Sequence, residues 1–211
     1  MKPRRIPPLV ADIVKAAISA VDGITFTGNS GICPVCGGHL TGYDTKRKQF
    51  AHLITASGPK TVYVDVKRFS CHTCHRFCLA DNPFYPDTRI GSVIIDLCIA
   101  LSMTVPVNRV PAYLAAMGIL VDRSSCRLYV QSTISYYVRN NLRYMDTNSA
   151  FSIHLPHSVF LLSSLAVSAD EEMRIGEGDI LAACGFPSAQ RAGPNRRFPL
   201  EQWTKRDDPG Y

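Results

Sequence analysis

Acidic residues are scarce at the start of this 211-residue chain. Its first 80 residues hold 4 aspartates and no glutamate against 11 lysines and arginines. Residues 81–150 are nearly balanced, with 6 basic and 5 acidic residues, and residues 151–211 reverse the sign, with 6 against 8. The net charge of +6 therefore sits at one end. A local excess of this kind suits phosphate backbones, although a solvated basic face has the same composition. Long apolar runs are also missing. The longest, Ser158–Ala169, has 12 residues, short of the ~18 of a spanning helix, and reads as a buried helix or strand. No secretory signal is visible: the basic Met1–Arg5 is followed by Pro7-Pro8, then by Asp12 and Lys15. A cytoplasmic, reducing location is expected, where clustered cysteines hold metal more often than they form disulfides.

Catalytic machinery is equally sparse. Gly176-Glu177-Gly178 is too short for a phosphate loop. Asp170, Glu171, Glu172, Glu177 and Asp179 are the one dense acidic set, but two-metal nucleotidyl transfer needs carboxylates gathered on a packed sheet. No series of strands follows residue 150, so a solvated acidic loop is the expectation, and no catalytic residue is assigned. No internal repeat is found. Apolar residues are nonetheless 46% of the chain, enough for a folded core.

What the chain does have is two short cysteine pairs, Cys33-Pro34-Val35-Cys36 and Cys71-His72-Thr73-Cys74, 34 residues apart. Four thiolates on two tight turns can enclose one tetrahedral Zn²⁺ in a closed site with no position for a catalytic water. His75 and Cys78 lie close enough to replace Cys74 in a shifted arrangement. Cys71–His75 also fits the C-x-x-C-H pattern of c-type haem attachment, but that leaves Cys33 and Cys36 unexplained and calls for export. A thioredoxin-like role for Cys33–Cys36 would need a strand-helix-strand unit that the flanking pattern does not offer. His39 and His52 are read as surface groups or neighbours of the ligands. Cys98, Cys126 and Cys184 lie on apolar helical faces and are read as small core residues.

Around the cysteines the periodicity gives an α+β order. Pro8–Val21 reads as a first helix ended by Gly23. Lys46–Ala56 and Lys60–Ser70 read as two strands broken at Ser57-Gly58-Pro59, the second alternating Val62, Val64 and Val66 with polar residues and running into Cys71. Knuckle, hairpin, knuckle is the layout of a zinc ribbon. Beyond the linker Asn82–Pro86 come three helical segments: Thr88 or Arg89 to Ser102, Asn108–Met117 closed by Gly118, and a third from Asp122 as N-cap to about Asn140. Asn108 as N-cap would put Pro111 in the first turn, where its missing N–H costs nothing. The inner stripe of the third helix would be Cys126, Val130, Ile134 or Thr133, and Tyr137. Helix, short helix, glycine turn and longer helix outline a helix-turn-helix. Arg123, Ser124, Ser125, Arg127, Leu128 and Gln131 would then face solvent near the major groove, unless the segment is an ordinary helical bundle.

The order of these parts resembles the N-terminal region of prokaryotic, especially archaeal, insertion-sequence transposases of the DDE type. The resemblance rests on Ile32–Gly38 (ICPVCGG), Tyr63–Cys74 (YVDVKRFSCHTC), Tyr85–Gly91 (YPDTRIG), and Val107–Val130 with Ala112-Tyr113-Leu114 and Arg123-Ser124-Ser125. It spans roughly residues 8–140. It implies a zinc ribbon and helix-turn-helix that bind the terminal repeats of an element. The family's ribonuclease-H-like catalytic domain has no counterpart here, so no catalytic residue is carried over.

The expectation is thus an N-terminal helix (1–27), a four-cysteine zinc ribbon (28–82), a helix-turn-helix domain (83–145) and a small irregular C-terminal extension (146–211), poorly ordered from about 186. One structural Zn²⁺ would be held by Cys33, Cys36, Cys71 and Cys74. Lys46, Arg47, Lys48, Lys67, Arg68 and Arg76 would contact phosphates of double-stranded DNA, and Arg123, Ser124, Arg127 and Gln131 the major groove. The expected function is non-catalytic DNA binding, as the DNA-binding region of a truncated or split transposase or a regulator derived from one, with self-association or a separate catalytic chain as further partners. Two alternatives stand beside it. One is a protein-interaction adaptor using the apolar Val159–Leu165. The other is the DNA-binding subunit of a transposase whose catalytic part is a separate chain.

Overall fold

The computed structural model describes residues 8–85, 88–131, 155–168 and 175–184. It is a mixed α+β structure whose spine is a long antiparallel hairpin, β2 (Leu40–Thr55) paired with β3 (Gly58–Cys71). The short strands β1 (Thr25–Phe26, parallel) and β4 (Phe77–Leu79, antiparallel) both pair with β3. The helices are α1 (Pro8–Ser19), α2 (Ser92–Ser102), α3 (Val110–Ala116, preceded by a 3₁₀ turn over Val107–Arg109), α4 (Arg123–Gln131), α5 (His157–Ser168) and α6 (Glu177–Ala183).

The hairpin is longer than the alternation suggests. β2 begins at Leu40 rather than Lys46, because Leu40 to Gly42 still pair with Phe69 to Cys71. The turn is Ala56-Ser57, and Gly58-Pro59 open β3 instead of breaking it. Gly58 takes φ +115, a conformation that favours glycine, and the Thr55 hydroxyl donates to the Gly58 carbonyl at 2.7 Å. β2 has 16 residues and β3 has 14. The difference is absorbed by two bulges on β2, one between Gly42 and Thr45, the other between Gln49 and Ala51.

One face of the hairpin is buried. Val62, Val64 and Val66 of β3, with Phe50 and Ala51 of β2 and Phe26 of β1, form one core with Val14, Ala17 and Ile18 of α1. α2 runs through the same core, and every residue from Ser92 to Leu101 is buried. It starts later than the apolar spacing predicts, at Ser92 rather than Thr88 or Arg89. Gly91 precedes it, and its N–H donates to the Phe50 carbonyl at 2.8 Å. A Cβ at Gly91 would sit 2.3 Å from the Phe50 ring. The helix start and the strand bulge are therefore locked at van der Waals contact.

Two expectations are corrected. Asn108 does not cap the second helix. It lies in the 3₁₀ turn, and its side chain accepts from Arg127 at 3.0 Å. Pro111 still falls in the first turn of α3, where no N–H is needed. The C-terminal part is not irregular where it is described: Val159 and Leu162 of α5 and Ile180 and Leu181 of α6 enter the main core. Within the apolar run, Val159 and Leu162 are thus spent on internal burial, while Val167 faces solvent. The expected third-helix residues Thr133, Ile134 and Tyr137 lie outside the described residues, as do the acidic residues 170–172 and the segment from 186.

Asp96 is the buried acid of α2. It accepts hydrogen bonds from Tyr85 Oη at 2.7 Å and Ser158 Oγ at 3.1 Å, which tie α2 to α5 and to the segment before α2. Burial pushes its carboxyl up to about 6 from 3.8, while the two hydroxyls favour the charged form. Because the folded-state value is raised, the unfolded chain ionises first as pH rises. The contribution is whole below about pH 4 and is lost as pH climbs through 6, a change on the order of 3 kcal/mol. Asp96→Asn keeps an acceptor and cannot ionise. Urea midpoints of the two proteins, measured from pH 4 to 7, should show the wild type losing ground to the variant across that window. A constant offset would refute the burial account. Gly91→Ala should lower stability by about 1–3 kcal/mol by forcing Phe50 aside, read in the same denaturation.

Candidate metal centre and basic hairpin

The hairpin register decides where the cysteines meet. Leu40, four residues beyond Cys36, lies opposite Cys71, so the two cysteine turns stand side by side at the open end of the sheet. They repeat one backbone pattern. In the first turn, the Gly37 N–H donates to the Cys33 carbonyl at 2.9 Å, and Cys33 N–H to the Gly38 carbonyl at 2.8 Å. In the second, the His75 N–H donates to the Cys71 carbonyl at 3.0 Å, and Cys71 N–H to the Arg76 carbonyl at 3.0 Å. Gly37 (φ 75) and His75 (φ 55) occupy the same left-handed position. His75 therefore shapes the turn with its backbone.

The Sγ atoms of Cys33, Cys36, Cys71 and Cys74 all lie within 4.8 Å of one another. Cys33 and Cys74 are 3.7 Å apart, Cys36 and Cys71 3.5 Å. A tetrahedral ion with metal–sulfur bonds of about 2.3 Å needs edges of about 3.8 Å. The donor set therefore fits one tetrahedral, thiolate-preferring ion. Burial opposes ionisation of Cys33, but N–H groups of Cys36 and Val35 aimed at its sulfur bring its pKa down to about 6. The Cys71 thiol is lowered likewise, first by the Cys74 N–H. Cys36 goes the other way, up to about 12: the Gly38 N–H favours its thiolate, but the thiols of Cys74 and Cys71 outweigh it. Four sulfurs this close cannot all carry charge without a cation between them.

Cys78 stays outside this set. It joins the small cluster of Cys33, Leu40, Cys71, Phe69 and Cys74 beneath the site, and burial followed by the charge of Cys33 pushes its thiol up to about 11. Of the alternatives for the fourth position, the fold gathers Cys74. His39 stacks on His72 at 6.3 Å beside the cluster. His52 is exposed on β2 and bonds Thr61 through Nδ1 at 2.8 Å. Cys98, Cys126 and Cys184 are buried as expected. The cluster under the cysteine turns has just three buried members, Cys33, Leu40 and Cys71. That is little apolar burial to hold two loops, so an ion bound there would contribute folding energy.

The expected phosphate contacts divide. Lys46 and Arg76 are exposed and Lys67 half-buried, with no ion pair among the described residues. Arg47 lies over the Tyr63 ring at 4.6 Å. Lys48 places Nζ 3.7 Å from the Phe84 ring centroid, and burial pulls its pKa down to about 8. Arg68 is held by both carboxylate oxygens of Asp44. Nothing in the sequence marks that pair, since Asp44 reaches Arg68 through the first bulge.

At the other end, Gly118 (φ +79) closes α3, and the following turn is stitched to β2. Ile54 N–H donates to the Gly118 carbonyl at 2.7 Å, and Leu120 N–H to the His52 carbonyl at 2.9 Å. Asp122 caps α4 as expected, accepting from Ser125 N–H at 2.8 Å and from Ser124 Oγ at 2.5 Å. These donors, with the Ser124 hydroxyl first, hold its carboxyl well below the usual range. Arg123, Ser124, Arg127, Leu128 and Gln131 are exposed on α4, while Cys126, Tyr129 and Val130 are buried. Asp122, Arg123, Ser124 and Arg127 line an open concavity at the start of the helix.

Metal analysis should find one ion per chain. Serine at Cys33, Cys36, Cys71 or Cys74 should abolish it, whereas Cys78→Ser should retain it. Gly38→Ala should also lower metal retention against a chelator, because its Cβ would meet Thr73 Oγ1 at 2.4 Å and Cys71 Sγ at 3.1 Å. Retention in Cys74→Ser with loss in Cys78→Ser would reassign the fourth ligand. None of the family models, curated proteins or solved structures compared with this chain matches it.

Proposed function

We propose that this chain is a non-catalytic DNA-binding protein in which a structural Zn²⁺ clamps a basic hairpin, a zinc ribbon, beside a helix-turn-helix formed by α3 and α4. The observation that carries the proposal is the tetrahedral set of four cysteine sulfurs at the end of a hairpin rich in cations. Residues 40–80 hold seven lysines and arginines against two aspartates. Zinc is the ion that four thiolates in a closed tetrahedral site favour, and its place here is structural. With all four positions filled by protein, no site remains for an activated water.

The second support is α4. Its first turns present Arg123, Ser124 and Arg127 around a concavity, and its buried face holds Cys126 and Val130. Arg127 Nη2 donates to Asn108 Oδ1 at 3.0 Å, which aims the guanidinium before DNA arrives. The turn between α3 and α4 is bonded to β2, so the reading helix and the basic hairpin would dock as one surface. In this reading Lys46, Lys67 and Arg76 carry the phosphate contacts. A link to transposition, as terminal-repeat recognition or as the partner of a separate catalytic chain, is the family expectation of the resemblance. The adaptor reading loses ground, because Val159 and Leu162 are 1% exposed.

Selection from a random duplex pool should return a preferred sequence. Arg127→Ala should level that preference. Lys67→Ala should weaken binding evenly on all sequences and lower the slope of log K against log salt by about 1. No duplex binding at low salt would refute the proposal. Equal, sequence-independent losses in both variants would refute the division of labour.

A further inference from the structure

The inner face of the hairpin runs past the edge of the core. On β3, Val62, Val64 and Val66 are fully buried, and the next residues on that face are Arg68 and Ser70. Their ladder partners share the face: Lys46 opposite Val66, Leu79 opposite Arg68, and Phe77 opposite Ser70. The bulge at Tyr43-Asp44 adds two more side chains opposite Arg68. Tyr43 and Phe77 lie 4.7 Å apart and tilted by 49°. The Arg68 guanidinium is 5.6 Å from one ring centroid and 5.5 Å from the other. Core residues elsewhere on this face are covered, yet Tyr43 is 60% exposed, Phe77 55% and Leu79 41%.

We propose that Tyr43 and Phe77, set around Arg68, form a stacking platform for the unpaired bases of single-stranded DNA. The aromatic rings supply sequence-tolerant π faces. Asp44 fixes Arg68 through both carboxylate oxygens, so the guanidinium plane is ordered beforehand and the rings keep one arrangement. Lys46, exposed on the same face, supplies charge for the backbone. Cations beside exposed aromatics match a polyanion with exposed bases. They match less well the apolar surface of a second copy or of a protein partner, which would leave Lys46 desolvated without a counter-charge. The inference rests on the DNA-binding reading and extends it from duplex to unpaired strand, as at a melted or frayed end.

The test is fluorescence anisotropy with three labelled probes of equal length: an oligothymidylate, an abasic strand of the same charge, and a duplex. The zinc-loaded full chain should bind oligothymidylate roughly tenfold or more tighter than the abasic strand. Tyr43→Leu/Phe77→Leu keeps apolar volume at exposed positions but removes the rings. It should erase that preference while leaving zinc content, melting temperature and duplex affinity unchanged. Equal binding of oligothymidylate and abasic strand by the wild type would overturn the platform while leaving duplex recognition standing. Failure on all three probes would remove both readings. If the double variant keeps its base preference, the rings are not the platform. If it instead changes only the sedimentation coefficient, the face joins copies of this chain and the inference fails.

Discussion

Everything in this protein hangs on the register of the β2–β3 hairpin. A strand pair has one free parameter along its axis, and side chains change face with each residue of slip. Here the register changes twice, once at each bulge, and both steps have consequences. The step near Phe50 turns an extra bulky ring into the core, against Gly91 at the start of α2. The step at Tyr43-Asp44 sets an acid and an aromatic against Arg68. The two steps together bring Leu40 opposite Cys71, and with it the two cysteine turns into register. Without them the ladder would end two residues out of step, and the sulfurs would not meet.

The hairpin is also where two sources of stability join. Its central part is covered by α1 and α2 and is held by ordinary apolar burial. Its cysteine end has little core of its own, and the four-sulfur set there could hold a metal ion that would supply what burial cannot. The far end is tied to the α3–α4 turn by backbone hydrogen bonds from Ile54 and Leu120. The strand pair thus connects the four-cysteine cluster to the turn before α4 through continuous backbone hydrogen bonding.

Features built from a few neighbouring residues were readable from the chain. The paired cysteines, Asp122 as the cap of α4, Gly118 as the end of α3 and the outward residues of α4 all depend on local geometry, which short sequence patterns encode. The apolar cysteines 98, 126 and 184 could be separated from the paired cysteines for the same reason, since they follow helical spacing and none has a second cysteine nearby in the chain. Strand ends, bulges and long-range polar pairs were not readable. Asp44 next to Arg68 and Lys48 over Phe84 arise from partners 24 and 36 residues distant. The polar set of Asp96, Tyr85 and Ser158 includes a pair 62 residues apart.

The amino-acid order, then, dictates that four cysteines come in two turns and that cations gather around them, because turn chemistry and charge are written residue by residue. It dictates equally that α4 opens with a capped, polar first turn. Which side chain completes the set is settled by packing: the C-x-x-C spacing favours Cys74 but leaves His75 and Cys78 within reach, and they are set apart once the second turn is folded against the first. The same holds for the cations. Lys46 and Lys67 are available at the surface while Lys48 and Arg68 are engaged, and only the pairing of distant strands, with its two bulges, assigns each to its role.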